Sequence, residues 1–523
     1  MNRQTLVVTL GTVALIALGA VLMYAAPSEP DGPSKGTMQA AKAKAKTKAK
    51  KGENAKIPAT RLIHRSDIPA DRPKPPAGAP NVVVVFTSTM RKDLTTLYGS
   101  KQDTTPFLAS KASEGALFTD ALANGVWPKH SQAALVLGSL PHGAGMVEQL
   151  PKRDSRRLAQ EATTLAERFA DAGWTTVGVT SSHYLNGRFG MRQGFDWYRE
   201  SQPFGYALGS RLPARGVVDA TLRGVDAQLE KADGRPLYIQ IGFVDSHKPF
   251  QVPPDEFKPF ESDEHEVAPY LATLLRQDKA LARLAETLET KGLTDANTVF
   301  LVVAEHGEGL EMPEHHRKQH GRSLYDSSVE IPMVAWGKGV GKGVTIDGLV
   351  SQIDVAPTLL GVAGVSTDGM DGIDQSGLLA KGGTSKRETH YADTFYEKLR
   401  RASLWTTTHA CQKDMGSAES EPDPTFVDGC YDREADPDFT KPVAMPELMS
   451  KLEARFAEQL AAAEGAEALQ AGAAPKGPPK KAPEKGKAPE KGKAPKGKAP
   501  KGKAPKAKAP KGKAPKGEAA EPK

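Results

Sequence analysis

The stretch Asn81-Val-Val-Val-Val-Phe86, followed by Thr87-Ser-Thr-Met-Arg-Lys-Asp93, decides the fold. Four valines and a phenylalanine in a row predict a strand buried on both faces, as in the middle of a parallel sheet. Open α/β sheets hold ligands beyond their C-terminal strand ends, so the polar turn after Phe86 is a candidate site wall. Thr104-Thr-Pro-Phe-Leu-Ala-Ser-Lys-Ala-Ser-Glu-Gly115 reads as a helix closed by glycine. It leads into Phe118-Thr-Asp-Ala-Leu-Ala-Asn-Gly-Val-Trp-Pro-Lys-His-Ser-Gln-Ala-Ala-Leu-Val-Leu-Gly138.

Outward from this stretch the pattern repeats. Thr164-Leu-Ala-Glu167 is a capping box opening a helix with Leu165, Ala166 and Phe169 as its apolar stripe and Gly173 at its end. The run Trp174–Val179 is the next strand, followed by His183. Another strand, Pro236–Val244, runs into Asp245-Ser-His247-Lys-Pro249. Leu271, Leu274, Leu275, Leu281, Leu284 and Leu288 mark one face of a long helix ending at Gly292. Thr298–Ala304 is a second fully apolar strand, and it delivers Glu305-His306-Gly307-Glu308. Helix and strand alternate as in a doubly wound fold. The expected class is α/β, a three-layer αβα sandwich with a mostly parallel sheet over 81–385. A small C-terminal α+β subdomain over 386–470, with little distinctive in it, completes the body.

Both ends differ from this body. After a short tail (1–4), the segment 5–26 holds the apolar run Leu6–Ala26, long enough to span a bilayer. It reads as an uncleaved signal anchor, because Met23-Tyr-Ala-Ala26 suits a cleavage site poorly. A Lys/Pro-rich linker covers 27–80. Residues 471–523 repeat Lys-Ala-Pro-Lys-Gly and predict a disordered, self-repelling tail. The net charge of +7 hides this division: residues 1–56 carry +6 and residues 471–523 carry +13, which leaves −12 for the body. The tail suits an anionic polymer or lipid surface. Specific nucleic-acid binding is not expected, since no aromatic residue interrupts the lysines. The lysines 35–51 argue for a cytoplasmic body. Cys411 and Cys430 are either one small disulfide of an exported domain or two buried thiols.

Polar residues gather at the predicted strand ends: His183, Asp245, His247, Glu305, His306 and the cluster His315/His316/His320. Such a set binds either a divalent cation or an anionic ester. Lys129 reads as a loop charge.

These residues resemble the sulfatases of the alkaline phosphatase superfamily. Their N-terminal signature runs strand, Asp-rich turn, T-T-P-x-L helix, F-T-x-A, nucleophile segment, A-A-L-L-T-G. The likeness stays in register from about Asn81 to Leu379. Ser351-Gln-Ile-Asp354-Val-Ala-Pro-Thr-Leu-Leu360 resembles the family's D-I-A-P-T-L-L helix, and Asp371-Gly-Ile-Asp374 its D-G turn. The resemblance implies one divalent cation, usually calcium, held by an Asp pair in the first turn and by an Asp plus Asn or His in a later one. It implies a formylglycine nucleophile made from Cys or Ser in a Cys/Ser-x-Pro-x-Arg motif, or Thr or Ser in phosphoester-cleaving relatives. Basic residues on neighbouring loops would hold the sulfate or phosphate. It also implies export, against the lysine argument, and so a periplasmic or extracellular body.

Carried over in register, the Asp pair falls on Ser88 and Thr89 and the nucleophile on Pro128. Ser181 replaces a lysine two residues before the retained His183. His247 and His320, with Lys318 and Arg322 nearby, match substrate-binding residues. Glu305 stands for an Asp metal ligand, beside a retained His306. A shift of register makes Ser131 the fallback nucleophile, although no base to activate it is evident. The expectation is a membrane-anchored sulfatase-like protein, catalytically impaired and binding an anionic ligand. The alternative is an active metal-dependent sulfuric or phosphoric ester hydrolase, its site rebuilt around zinc with Glu305, His306 and the His315–His320 cluster. A third class is a scaffold whose basic tail matters more than its domain.

Overall fold

In a computed structural model of the chain, the described residues are 72–146, 157–200, 212–260 apart from 232, 267–396 apart from 314, 315, 317 and 318, 399–417 and 426–470. The apolar run Leu6–Ala26 and the lysine tail lie outside them. Among the described residues, no helix is long and apolar enough to cross a membrane.

In chain order the elements are β1 (Asn81–Thr87), α1 (Pro106–Glu114), β2 (Ala116–Leu122), α2 (Pro128–Leu137), α3 (Leu165–Asp171), β3 (Thr175–Thr180), β4 (Trp197–Glu200), α4 (Ala214–Leu229) and β5 (Leu237–Phe243). Then come α5 (Val267–Thr290), β6 (Thr298–Ala304), β7 (Met333–Gly337), β8 (Val344–Ser351), α6 (Val355–Ala363), β9 (Gly383–Thr384), β10 (His390–Thr394), β11 (Arg401–Trp405), β12 (His409–Asp414), β13 (Gly429–Asp432) and α7 (Pro446–Gln470).

One sheet has the order β4-β3-β5-β1-β6-β7-β2-β8-β9. Its neighbours are parallel except around β7, which runs antiparallel to both β6 and β2. The valine run is the centre, with β1 between β5 and β6. Its alternation explains why every residue is apolar. Val82, Val84 and Phe86 pack into a core with Leu165, Phe169 and Trp174. Val83 and Val85 face the opposite layer, with Val217 and Val218 of α4 and Leu281 and Leu284 of α5. Each valine so buried contributes roughly 1.5–3 kcal/mol. The Thr164–Glu167 capping box forms with both of its hydrogen bonds and opens α3. This is the α/β architecture the sequence implies, with helices on both faces of a mostly parallel sheet.

The second sheet, β10-β11-β12-β13, is small and antiparallel, and α7 packs on it through Leu448, Leu452 and Phe456. Cys411 of β12 and Cys430 of β13 are paired across the ladder and joined by a disulfide, which settles the open choice between bond and thiols.

Candidate functional site

Four adjacent parallel strands, β3, β5, β1 and β6, end at one level. Backbone bonds stitch their exits together: Ser88 N–H donates to the Phe243 carbonyl at 3.0 Å, Glu305 N–H to Thr87 at 2.8 Å, and Ser181 N–H to Gly242 at 3.1 Å. Ser88, Thr89, Ser181, Ser182 and Glu305 are thereby gathered at one sheet edge, all of them buried.

The first turn is held hard. Thr89 has φ 50°, a left-handed conformation that a β-branched residue adopts only under constraint. Tyr270 donates its hydroxyl to the Thr89 carbonyl (2.7 Å) and accepts from Arg91 N–H (2.8 Å), and Ser246 donates to the Ser88 carbonyl. The buried Arg91 guanidinium pairs with Asp93 and donates to the carbonyls of Gly309 and Met312 at 2.8 and 2.9 Å. It therefore ties this turn to the loop after β6, a role its sequence context did not reveal.

Opposite the turn, α2 supplies Gln132, which stands where the Cys/Ser-x-Pro-x-Arg motif has its arginine. Its amide donates to Glu305 Oε1 and, at 3.1 Å, to Ser182 Oγ. Burial pushes the Glu305 carboxyl up to about 8, with Gln132 and Ser88 opposing that only in part. At neutral pH Glu305 is therefore mostly protonated. In the register the resemblance implies, hydroxyls stand at the two carboxylate positions, an amide at the guanidinium position, and the Glu305 carboxyl is raised. A calcium ion needs six to eight oxygen ligands with net negative charge. Two hydroxyls, a single glutamate and His306 do not supply it.

The histidines beyond the turn are arranged differently. His306 and His320 rings lie 4.5 Å apart between centroids, and His320 and His247 lie 4.9 Å apart. His320 Nδ1 is 2.9 Å from Glu308 Oε2. Burial, then His320 and His247, hold His306 well below its ordinary pKa, and its Nε2 has no hydrogen-bond partner. His183 is more open, and burial, Arg188 and Lys129 lower it to about 4. Lys129 is not a loop charge. It sits in the first turn of α2, fully buried, with Nζ 4.6 Å from the Phe189 ring.

Several sequence candidates sit elsewhere. His316 is stacked on Tyr325 at 4.3 Å with Nδ1 2.9 Å from Ser327 Oγ, so it leaves the histidine cluster to serve the core. Asp245 accepts from Ala214 N–H at the start of α4 (2.9 Å). Lys318 and His315 lie outside the described residues. Pro128 is the first residue of α2, where its fixed φ and missing N–H suit a helix start and where it offers no nucleophilic atom. Ser131 is fully buried, and its hydroxyl donates to the Gly125 carbonyl at 2.7 Å.

Comparisons with known proteins agree with this architecture. The family model described as Sulfatase matches residues 80–365, and one described as N-sulphoglucosamine sulphohydrolase, C-terminal, matches residues 314–465. The chain is 25% identical over 309 residues to an uncharacterized sulfatase of Escherichia coli, covering 51% of this chain and 54% of that one. It is 25% identical over 343 residues to an ulvan-active sulfatase of Formosa agariphila (57% and 65% covered). It is 27% identical over 376 residues to arylsulfatase A of Bos taurus (61% and 71% covered). The chain thus spans about half to two thirds of the first two relatives. Among solved structures, a putative sulfatase from Bacteroides fragilis has TM-score 0.61 at 18% identity, covering 76% of this chain and 98% of that one. A phosphonate monoester hydrolase of Agrobacterium radiobacter has TM-score 0.58 at 16% identity (74% and 95% covered). Likeness at that identity speaks for the fold alone.

Proposed function

The chain belongs to the sulfatase family, and from that premise we propose that it binds an anionic ester ligand in the family's crevice without hydrolysing it. One observation carries this reading. In the register of the resemblance the hydrolytic groups are absent as a set, with Pro128 at the nucleophile position, Ser88 and Thr89 at the paired-carboxylate position, and Glu305 raised beside Gln132. The groups that hold an anion, His183, His247 and His320 with the buried Lys129, remain around the same strand ends. Hydrolysis needs a nucleophile and a means of activating it, whereas binding a sulfate or phosphate needs only donors and cations. Sulfated or phosphorylated saccharides and lipids are the ligand class, in keeping with the polysaccharide named for the Formosa relative. The family generally uses a divalent metal, and zinc with Glu305, His306 and the His315–His320 cluster belongs to the alternative, an active enzyme with a rebuilt site.

The body is proposed to be exported, which the Cys411–Cys430 bond supports, and anchored by Leu6–Ala26. The lysine tail adds non-specific affinity for anionic polymers or lipid surfaces.

The test uses the full chain with a panel of sulfated oligosaccharides followed by calorimetry, alongside turnover of aryl sulfates and aryl phosphates. Saturable binding that falls about tenfold in His247→Ala and His320→Ala, with no turnover above background, is expected. Both variants keep the basic tail, so the loss reports the crevice. Turnover abolished by His306→Ala or Ser131→Ala would overturn the reading in favour of an active hydrolase.

A further inference from the structure

Helix α2 serves two places. Gln132 faces the crevice. His130, two residues earlier and about 200° away around the helix, faces the C-terminal sheet. There it meets His142, from the short turn Pro141–Ala144, and Asp393, next to the end of β10. All three side chains are fully buried. His142 Nε2 lies 2.8 Å from Asp393 Oδ2, and His130 Nε2 lies 3.4 Å from Asp393 Oδ1. The two imidazoles are nearly perpendicular, 76° apart with centroids at 5.0 Å. One ligand atom of each residue lies within 4.8 Å of the other two.

The surroundings hold this arrangement in place. Asp393 N–H donates to the Asn124 carbonyl. A Cβ on Gly125 would come within 2.6 Å of His130 Cδ2, so the bare backbone there admits the ring. Tyr391 donates its hydroxyl to Asp393 Oδ2 at 2.8 Å, a hydrogen bond of the kind that orients metal-ligating carboxylates. Yet the protein's own groups leave the cluster incomplete. Neither ring nitrogen of His130, nor Nδ1 of His142, nor Asp393 Oδ1 has a hydrogen-bond partner. Buried polar atoms left unpaired in this way cost roughly 1–3 kcal/mol each.

We propose that His130, His142 and Asp393 form a zinc site that fastens α2 to the C-terminal sheet. Two imidazoles and one carboxylate are the ligand chemistry of a borderline divalent transition metal and unlike the all-oxygen shell of calcium. A hydrogen-bonded His142–Asp393 pair alone would leave both His130 nitrogens unpaired, and that reading predicts no bound metal. The site is separate from the crevice, so it stands whether or not the crevice is catalytic.

The full chain is to be produced with zinc supplied, dialysed against metal-free buffer and assayed for metal by elemental analysis. About one zinc per chain is expected, resisting a mild chelator, with two imidazoles in its shell by zinc-edge X-ray absorption. His130→Ala and Asp393→Asn should weaken zinc retention by about 100-fold, while His306→Ala retains it. If these variants fail to fold, cobalt(II) loading of the unaltered chain gives the same answer from its visible absorption bands. A chain that retains no zinc overturns the proposal. So does a zinc that His306→Ala removes and His130→Ala leaves, since that metal would sit in the crevice.

Discussion

Glu305 and Asp393 are both fully buried carboxylates facing the same helix from opposite sides, and they hold opposite charge states. For each, burial is the largest influence and favours the neutral acid. At Glu305 nothing reverses it, because its nearest partner is the amide of Gln132 rather than a cation. At Asp393 the two histidines and the Tyr391 hydroxyl do reverse it, and the carboxyl falls below its ordinary value. Burial therefore does not decide charge. The partner does: beside the Gln132 amide one carboxylate is raised, while across the helix the other, beside two imidazoles and a phenol, is lowered.

The largest effect that would break this comparison is at Asp393. Removing this buried acid leaves the Tyr391 hydroxyl and both imidazoles without their acceptor, so Asp393→Ala should cost about 3–5 kcal/mol in urea unfolding at neutral pH. A loss below about 1 kcal/mol would mean that Asp393 is no more engaged than Glu305.

Glu305→Gln comes next and runs the other way. The folded carboxyl is raised to about 8, against roughly 4.3 in the unfolded chain. Between those values the native state binds the extra proton, so stability falls as pH rises through this window and the penalty is full above it. Glutamine can still accept from Gln132 but has no proton to lose. The variant should match the parent near pH 4 and exceed it above pH 8, by at most on the order of 5 kcal/mol. Parallel stability curves for the two proteins from pH 4 to pH 9 would show that Glu305 is ionised throughout.

A third change would convert one region toward the other. Ser88→Asp with Thr89→Asp returns two carboxylates to the strand-end turn, and aspartate tolerates a left-handed backbone better than threonine does. Calcium affinity, followed by calorimetry, should rise at least about 100-fold, or roughly 2.7 kcal/mol. No gain would place the defect in Gln132 rather than in the lost charges.

How far these two regions were legible in the sequence follows from the range of the interactions. The β1 and β6 strands, the capping box at Thr164 and the register that puts Pro128 at the nucleophile position are all carried by neighbouring residues. The antiparallel placement of β7 is not, since it depends on where β2 and β6 lie. Lys129 reads as a loop charge because nothing local announces that Phe189 covers it. His316 groups with His320 by spacing, but stacking on Tyr325 turns it away. The Asp393 cluster joins residues some 250 positions apart. A lone acid in a short strand carries no periodic signal, and the segment around it looked undistinguished for that reason.

The smallest effect sharpens the comparison at the level of the backbone. Asp393 sits in a regular strand, while the crevice turn keeps Thr89 at φ 50° although the carboxylate such a turn would aim is missing. That strain costs a β-branched residue on the order of 1–2 kcal/mol. Thr89 Oγ1 is buried without a hydrogen-bond partner, so its side chain recovers nothing. Asparagine enters the left-handed region far more readily, and it loosens the unfolded chain less than glycine would. Thr89→Asn should therefore raise stability by about 0.5–1 kcal/mol, read as a higher urea midpoint at unchanged slope. Tyr270 and Arg91 hold the backbone carbonyl and amide rather than the side chain, so the turn itself should survive the change. A loss of stability would mean instead that the threonine hydroxyl is engaged, and that the turn is built around this residue and not merely left over from an acid.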